Sequence, residues 1–300
     1  MSSPVTTDAL ASRHADPHPR LSVNQATIKY ASLRDALDSV REAGVGAIGT
    51  WREPVGEVGL EAASRMVAEC GLRVSTHCRG GFFTLPQGSA RRAALDENRR
   101  AIEETAVLAA AGAEGSRAVL VLVAGGLPEG SKDLVAARSL VAGALEELVP
   151  FALDAGVQLA VEPLHPMYAA DRAVVSTLAQ ALDLAALFPA AAVGVAVDTF
   201  HVWWDPQLRE QIARAGREGR IASYQVCDFN LPIAADALLS RGMMGDGVID
   251  FANIGSWVRD AGYTGDIEVE IFRQDIWDAD GDEVLAVLAQ RYAELGLPFA

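Results

Sequence analysis

Acidic and amide side chains recur at one kind of place in this chain, the end of a short apolar run. Glu162 closes the run that starts at Gln158, and Asp198 closes the run that starts at Val193. Gln225 and Asp228 fall late in the run from Ala222, and Glu268 and Glu270 alternate through 266–271. An earlier run ends in Thr76 and His77. A charge at the end of a buried run needs a partner or a metal, because desolvating it alone is costly. If the runs converge, Glu162, Asp198 and Glu270 bring three carboxylates into one volume, where unpaired they repel and some take up protons. One divalent cation resolves that conflict. An oxygen-rich set completed by the amide carbonyl of Gln225 suits Mn²⁺ or Mg²⁺ better than Zn²⁺, which favours nitrogen and sulfur. The competing arrangement pairs the acids with arginines such as Arg241 or Arg273 across the same opening.

The elements that would make the runs converge are legible as an alternation beginning after residue 20. Eight apolar runs, at 21–24, 47–50, 73–77, 118–123, 158–162, 193–198, 222–228 and 266–271, read as strands. Most are continuously rich in Val, Ile and Leu, as parallel strands covered on both faces should be. Between them lie stretches of helical period at 32–43, 59–70, 90–111, 131–155, 174–187, 206–218, 251–261 and 282–295. Several end on a glycine, Gly44, Gly71, Gly156 and Gly262 among them, as a helix C-cap leading into a strand requires. A length of 300 residues allows one large domain or two small ones. Eight βα units fill the span of a single (β/α)8 TIM barrel, whereas an open doubly wound sheet would use five or six strands. The sequence therefore predicts an α/β barrel over residues 21–300 behind a flexible polar segment, 1–20, in which His14 and His18 are solvated. In such a barrel the active site lies at the C-terminal ends of the strands, which is where the polar residues fall.

Composition narrows the function classes. Half of the residues are apolar and 22% are charged, the balance of a globular protein with a sizeable core. The formal charge is -15, with only two lysines, Lys29 and Lys132, and no dense basic run, so a nucleic-acid partner is not expected. A neutral, sugar-sized substrate fits better. Cys70, Cys78 and Cys227 form neither a CxxC pair nor an even disulfide framework, and the N-terminus carries no secretory signal, so the expected setting is the cytoplasm, away from membranes.

The motifs of the second half then carry a resemblance. Val-Glu-Pro-Leu-His at 161–165, Asp-Thr-Phe-His at 198–201, Gln-Val-Cys-Asp at 225–228, Arg-Gly-Met-Met-Gly-Asp-Gly-Val-Ile-Asp at 241–250 and Gly-Tyr-Thr-Gly-Asp-Ile-Glu-Val-Glu-Ile-Phe at 262–272 resemble the sugar phosphate isomerase/epimerase, or xylose isomerase-like, barrels. The first half resembles them in rhythm alone. The resemblance implies one metal, Mn²⁺ first, with Mg²⁺ or Co²⁺ as alternatives, held by Glu162, Asp198, Gln225 and Glu270. Gln225 stands where the family more often has histidine, an uncharged and weaker ligand. Of the two acids in the last strand, Glu270 takes the family's ligand position and Glu268 lies deeper.

The resemblance also implies a keto sugar or cyclitol substrate whose enediolate the metal stabilises while Glu162 and Glu270 shuttle a proton on carbon. His201 and Arg241 match positions that bind or polarise substrate oxygens. Softer substrate-binding candidates are His77, His165 and the aromatic residues Trp203 and Trp51, with Trp204, Phe82 and Phe83 beside them as packing or platform. The turn Gly245-Asp246-Gly247 lacks a phosphate-loop fingerprint and reads as a tight turn. Isomerisation or epimerisation is the leading expectation. The alternative is β-elimination by a dehydratase or lyase acting on a 3-keto sugar, 3-keto glycoside or inosose, and a third reading is a non-catalytic metal-binding partner subunit. An abasic-site endonuclease would need more histidine ligands and a basic surface. A homo-oligomer, dimer or tetramer, is implied by resemblance alone.

Overall fold

The computed structural model describes residues 20–295. The proposed flexible segment, with His14 and His18, lies outside the described residues apart from Arg20. Strands β1 (Leu21–Asn24), β2 (Ala47–Trp51), β3 (Arg73–Gly81), β4 (Val119–Val123), β5 (Gln158–Glu162), β6 (Val193–Asp198) and β7 (Ile221–Val226) lie parallel and in order. A short pair, β8 (Asp228–Phe229) and β9 (Arg241–Gly242), leaves the barrel wall, and β10 (Ile267–Val269) bridges β7 and β1 to close an eight-stranded barrel. This is the single-domain (β/α)8 TIM barrel that the alternation predicts.

Helices α1 (Leu33–Glu42), α2 (Arg52–Val58), α3 (Leu60–Cys70), α4 (Ser89–Ala111), α5 (Leu134–Ala155), α6 (Leu178–Ala185), α7 (Thr199–Val202), α8 (Leu208–Arg217), α9 (Phe251–Asp260), α10 (Gln274–Trp277) and α11 (Gly281–Glu294) surround it. Their starts follow from side chains that accept the first free N–H groups. Ser32, Asp133, Thr177 and Asp280 cap α1, α5, α6 and α11 in this way. Thr177 explains why the helical pattern from residue 174 begins only at Leu178. Gly71 and Gly156 end α3 and α5 in the left-handed region, at φ 73° and 68°.

Among the strand boundaries that differ from the sequence reading, two matter for the site. Strand β3 continues four residues beyond His77 to Gly81, so His77 is a mid-strand residue and not the end of a run. At the other end of the chain, β7 stops at Val226 and Asp228 belongs to the β8–β9 ribbon. The reason lies in Asp228 itself, whose carboxylate accepts the backbone N–H groups of Gly245 and Gly247 at 2.9 and 2.8 Å and those of Phe229 and Ile249 at 2.8 and 3.0 Å. The Gly-Asp-Gly segment is thus a tight turn wrapped around one carboxylate. A Cβ on Gly247 would sit 2.4 Å from that carboxylate. Cys70, Cys78 and Cys227 are buried and free. No helix among the described residues is long and apolar enough to cross a membrane.

Candidate active site

The barrel interior is built in levels. Ala160 and Ala196, two residues before Glu162 and Asp198 and so facing the same way, pack with Val119 and Ala222 as a small apolar cluster. In the adjoining strands, polar side chains converge on Glu268. Its carboxylate accepts from Asn24 Nδ2 at 2.7 Å, Gln225 Nε2 at 3.0 Å, Ser75 Oγ at 2.6 Å and Thr76 Oγ1 at 2.8 Å. Ser22 pairs with Ser75 at 2.7 Å, and Trp51 Nε1 donates to Asn24 Oδ1. Glu268 makes no ion pair among the described residues, so four neutral donors take the place of a counter-ion. A Cβ on Gly49 would lie 2.6 Å from this carboxylate, so glycine is what lets β2 approach it.

Above this floor lie the mouth carboxylates. Strand register sets Gln225 between Asp198 on β6 and Glu268 on β10. Because Glu268 is an obligate acceptor, it fixes the Gln225 amide with nitrogen toward itself. The Gln225 carbonyl oxygen is then buried with no hydrogen-bond partner. Glu162, Asp198 and His201 each present a candidate ligand atom within 4.8 Å of one another. Arg241, only 2% exposed, crosses the same space, with Nη2 at 2.9 Å from Asp198 and Nη1 at 3.1 Å from Glu270. Its guanidinium stacks near Phe200 and Phe272, at 4.6 and 5.1 Å from the ring centroids. The pairing with arginine that competes with a metal at the sequence level is therefore realised by Arg241. Arg273 instead meets Asp275 at 2.6 Å, away from the mouth acids.

Arg241 does not neutralise the site. Three mouth carboxylates against one guanidinium leave a formal charge of three minus one, two negative charges. The Asp198 Oδ2 contact to Arg241 lies within ion-pair distance without hydrogen-bond alignment, and Glu162 has no ion pair among the described residues. Burial, reinforced by the charges of Asp198 and Glu270, pushes the Glu162 carboxyl well above the usual range. Burial also raises Asp198, and lifts Glu270 to about 8 against the opposing pull of Arg241. An excess of two charges, an orphaned carbonyl oxygen and carboxylates forced toward protonation together fit a divalent cation bound by oxygen.

His201 is arranged differently. The backbone N–H of His165 donates to its Nδ1 at 3.1 Å, which leaves the ring proton of the neutral form on Nε2. Burial, followed by Arg241, holds the ring neutral by lowering its pKa well below the ordinary value. A protonated Nε2 donates; it cannot also ligate a metal. That nitrogen lies 3.0 Å from Arg241 Nη2, another donor. A ligand oxygen seated beside the pair, at hydrogen-bond distance from each nitrogen, would accept from both.

The sequence pattern of the xylose isomerase-like TIM barrel family matches residues 37–291. The chain belongs to that family. Its fold superposes on protein SMc04130 from Sinorhizobium meliloti 1021 with a TM-score of 0.86 at 49% identity, covering 92% of this chain and 98% of that one. An IolI protein described with a binding zinc atom aligns at a TM-score of 0.79 and 20% identity, over 94% and 99% of the two chains. An L-ribulose 3-epimerase aligns at 0.74 and 20%, over 93% and 94%. Comparison with curated proteins finds no match.

In this xylose isomerase-like barrel the mouth opens into a cavity of about 830 Å³ lined by Glu162, His201, Arg241, Glu270 and Trp51, all expected there from the sequence. Asp198 and Gln225 are fully buried and do not line it; Asp198 is reached through Arg241. His77 is not brought to it. Its ring meets Thr50 Oγ1 at 2.9 Å and Glu104 at 3.4 Å, between the barrel wall and α4, because a bulge in β3 between Val74 and His77 lets both Ser75 and Thr76 reach Glu268 and turns His77 outward. Burial lowers the His77 pKa, and hydrogen bonds from His77 and Arg52 overcome the burial of Glu104 and hold that carboxyl at about 2. His165 acts through its backbone on His201, while its ring packs edge-on against Trp204 at 5.5 Å. Trp203 packs against Phe229 at 5.3 Å and does not line the cavity, nor does the buried Phe83. Phe82 does line it. The sequence reading passed over Asn24, Ser75, Lys29, Arg79, Phe272 and Trp277. For Asn24 and Ser75 a signal existed, since a polar residue inside an apolar barrel strand needs a buried partner.

Proposed function

We propose that this protein is a metal-dependent isomerase or epimerase of a keto sugar or cyclitol. The observation that carries the reading is the set of buried carboxylates at the barrel mouth, Glu162 and Asp198 gathered with His201, and Glu270 joined to Asp198 through Arg241, with the Gln225 carbonyl buried and unpaired beside Asp198. Glu162, Asp198, Gln225 and Glu270 would hold one divalent cation, Mn²⁺ by preference over Mg²⁺ or Co²⁺ because an amide carbonyl joins the carboxylates. When bound, the ion would supply Lewis-acid polarisation of adjacent substrate oxygens. His201 and Arg241, both donors into the same space, orient a carbonyl or hydroxyl oxygen beside them. Glu162 and Glu270 both stand at the cavity wall, where their carboxylates can take a proton from a substrate carbon and return it. The three buried free thiols agree with a reducing, cytoplasmic setting.

Elimination uses the same proton abstraction and differs only in the substrate having a leaving group beside the acidified carbon. The test therefore incubates Mn²⁺-loaded protein in D₂O with ketoses, inososes and the phenyl and methyl 3-keto-β-D-glucosides, following deuterium at carbon and product mass. Deuterium uptake with unchanged formula is expected, and Glu162→Gln and Glu270→Gln should each abolish it with the fold intact. Loss of water or an aglycone would move the assignment to a lyase. Full activity in both variants would overturn the acid/base roles.

A further inference from the structure

The cavity is larger and more apolar than a monosaccharide needs. A hexose has about a dozen non-hydrogen atoms, whereas cavities in the range of about 300–1,000 Å³ usually enclose drug-sized ligands; this one measures about 830 Å³. Besides the mouth residues its lining carries further charged side chains, Glu53, Glu57, Arg172 and Asp236 among them, and a run of aromatic rings. Trp51 packs edge-on against Phe272 at 5.7 Å, and Phe272 edge-on against Trp277 at 6.1 Å, forming one continuous wall. Phe82 faces the same space from the β3 side, where it is 43% exposed with a backbone φ of 60°. A phenylalanine in the left-handed region is strained, and a ring left in water gains little from packing in return. Strain of this kind is kept where a side chain must be held for a ligand.

The cations at the rim agree. The Arg79 guanidinium lies 4.7 Å from the Phe82 centroid and 6.0 Å from that of Trp51, joining the strained ring to the wall. Lys29 lies 4.2 Å above Trp277. Neither cation forms an ion pair among the described residues. Both can donate to acceptor oxygens on a ligand seated against the rings.

We infer that the substrate is a keto sugar bearing a flat aromatic substituent, with the sugar at the carboxylates and the aromatic ring against Phe82 and the Trp51–Phe272–Trp277 wall. This rests on the sugar reading above and deepens it: the preferred substrate is an aryl glycoside rather than a free ketose.

The test is equilibrium binding, independent of turnover. Mn²⁺-loaded protein is titrated with phenyl and methyl β-D-glucosides that carry a 3-ketone, and with a panel of free ketoses and cyclitols, by calorimetry and tryptophan fluorescence. The phenyl glucoside should bind at least about tenfold more tightly than the methyl glucoside, a difference of ~1.4 kcal/mol. Phe82→Gly, which removes the ring and suits the left-handed backbone, should fold and cut that ratio to about threefold or less, while Phe82→Tyr restores it. Equal affinity for the two glucosides, or a ratio unmoved by Phe82→Gly, overturns the proposal. Binding of free ketoses with no binding of either glucoside also overturns it and leaves the sugar reading standing. Silence from every sugar overturns both.

Discussion

Replacing Arg241 by methionine separates the two ways in which the mouth acids can be neutralised. The guanidinium lies 2.9 Å from Asp198 and 3.1 Å from Glu270. With an effective dielectric constant near 20 these contacts correspond to roughly 6 and 5 kcal/mol of Coulomb attraction, before desolvation is subtracted. Removing one partner of such a buried arrangement costs about 3–5 kcal/mol net. For a barrel of this size that lowers the melting temperature of metal-free protein by ~5–8 °C. The formal charge of the mouth falls from minus two to minus three, so a dication should bind more tightly. Even in a watery dielectric, loss of a neighbouring unit positive charge favours a divalent ion by ~1–2 kcal/mol, roughly tenfold. Thermal unfolding in EDTA and Mn²⁺ titration by calorimetry give both quantities. The expected result is a less stable apoprotein, a tighter Mn²⁺ site, and a stability gap between wild type and variant that narrows with metal. Weaker Mn²⁺ binding in Arg241→Met, or an apoprotein as stable as wild type, would refute the idea that guanidinium and metal satisfy the same charges.

Gln225→Leu removes the proposed carbonyl ligand and one of the four donors to Glu268, so it should cost ~1.5–3 kcal/mol of stability and weaken Mn²⁺ at least about tenfold by calorimetry; wild-type affinity would exclude Gln225 from the site. The pH dependence has a definite sign. Because burial holds Glu270 up at about 8 and Glu162 well above its usual range, the folded apoprotein binds more protons than the unfolded chain. The contribution of these two groups to apoprotein stability is greatest below the ordinary carboxylate pKa and is lost as pH rises toward about 8, while Mn²⁺ affinity rises over the same window. Melting curves across pH with EDTA or excess Mn²⁺ should diverge above about pH 5; parallel curves would contradict the cause given for these shifts.

What could be read in the sequence, and what could not, divides along physical lines. Apolar runs and glycine caps are local signals, and they gave β1, β5 and β6 to the residue and the barrel with them. An acid at the end of an apolar run is nearly as local, so Glu162 and Asp198 were visible without coordinates. His77 was misplaced because a bulge in β3 just before it, set by pairing with β2, shifts the alternation and turns its side chain outward, a tertiary choice that the sequence does not announce. Arg241 was harder still. Nothing in its neighbours distinguishes a solvated loop arginine from a buried one, because its burial depends on Asp228, thirteen residues earlier, gathering the 245–249 backbone and so holding the β9 ribbon against the barrel. The same holds for Gln225. Its identity reads as a weakened ligand, but its orientation is decided by Glu268 on the next strand. Glu268 in turn can remain in the barrel without a counter-ion only because Asn24, Ser75 and Thr76 reach it from β1 and β3. A site of this kind is therefore specified twice: by ligand positions, which are local, and by the donors that aim them, which come from opposite ends of the chain and meet only when the barrel closes.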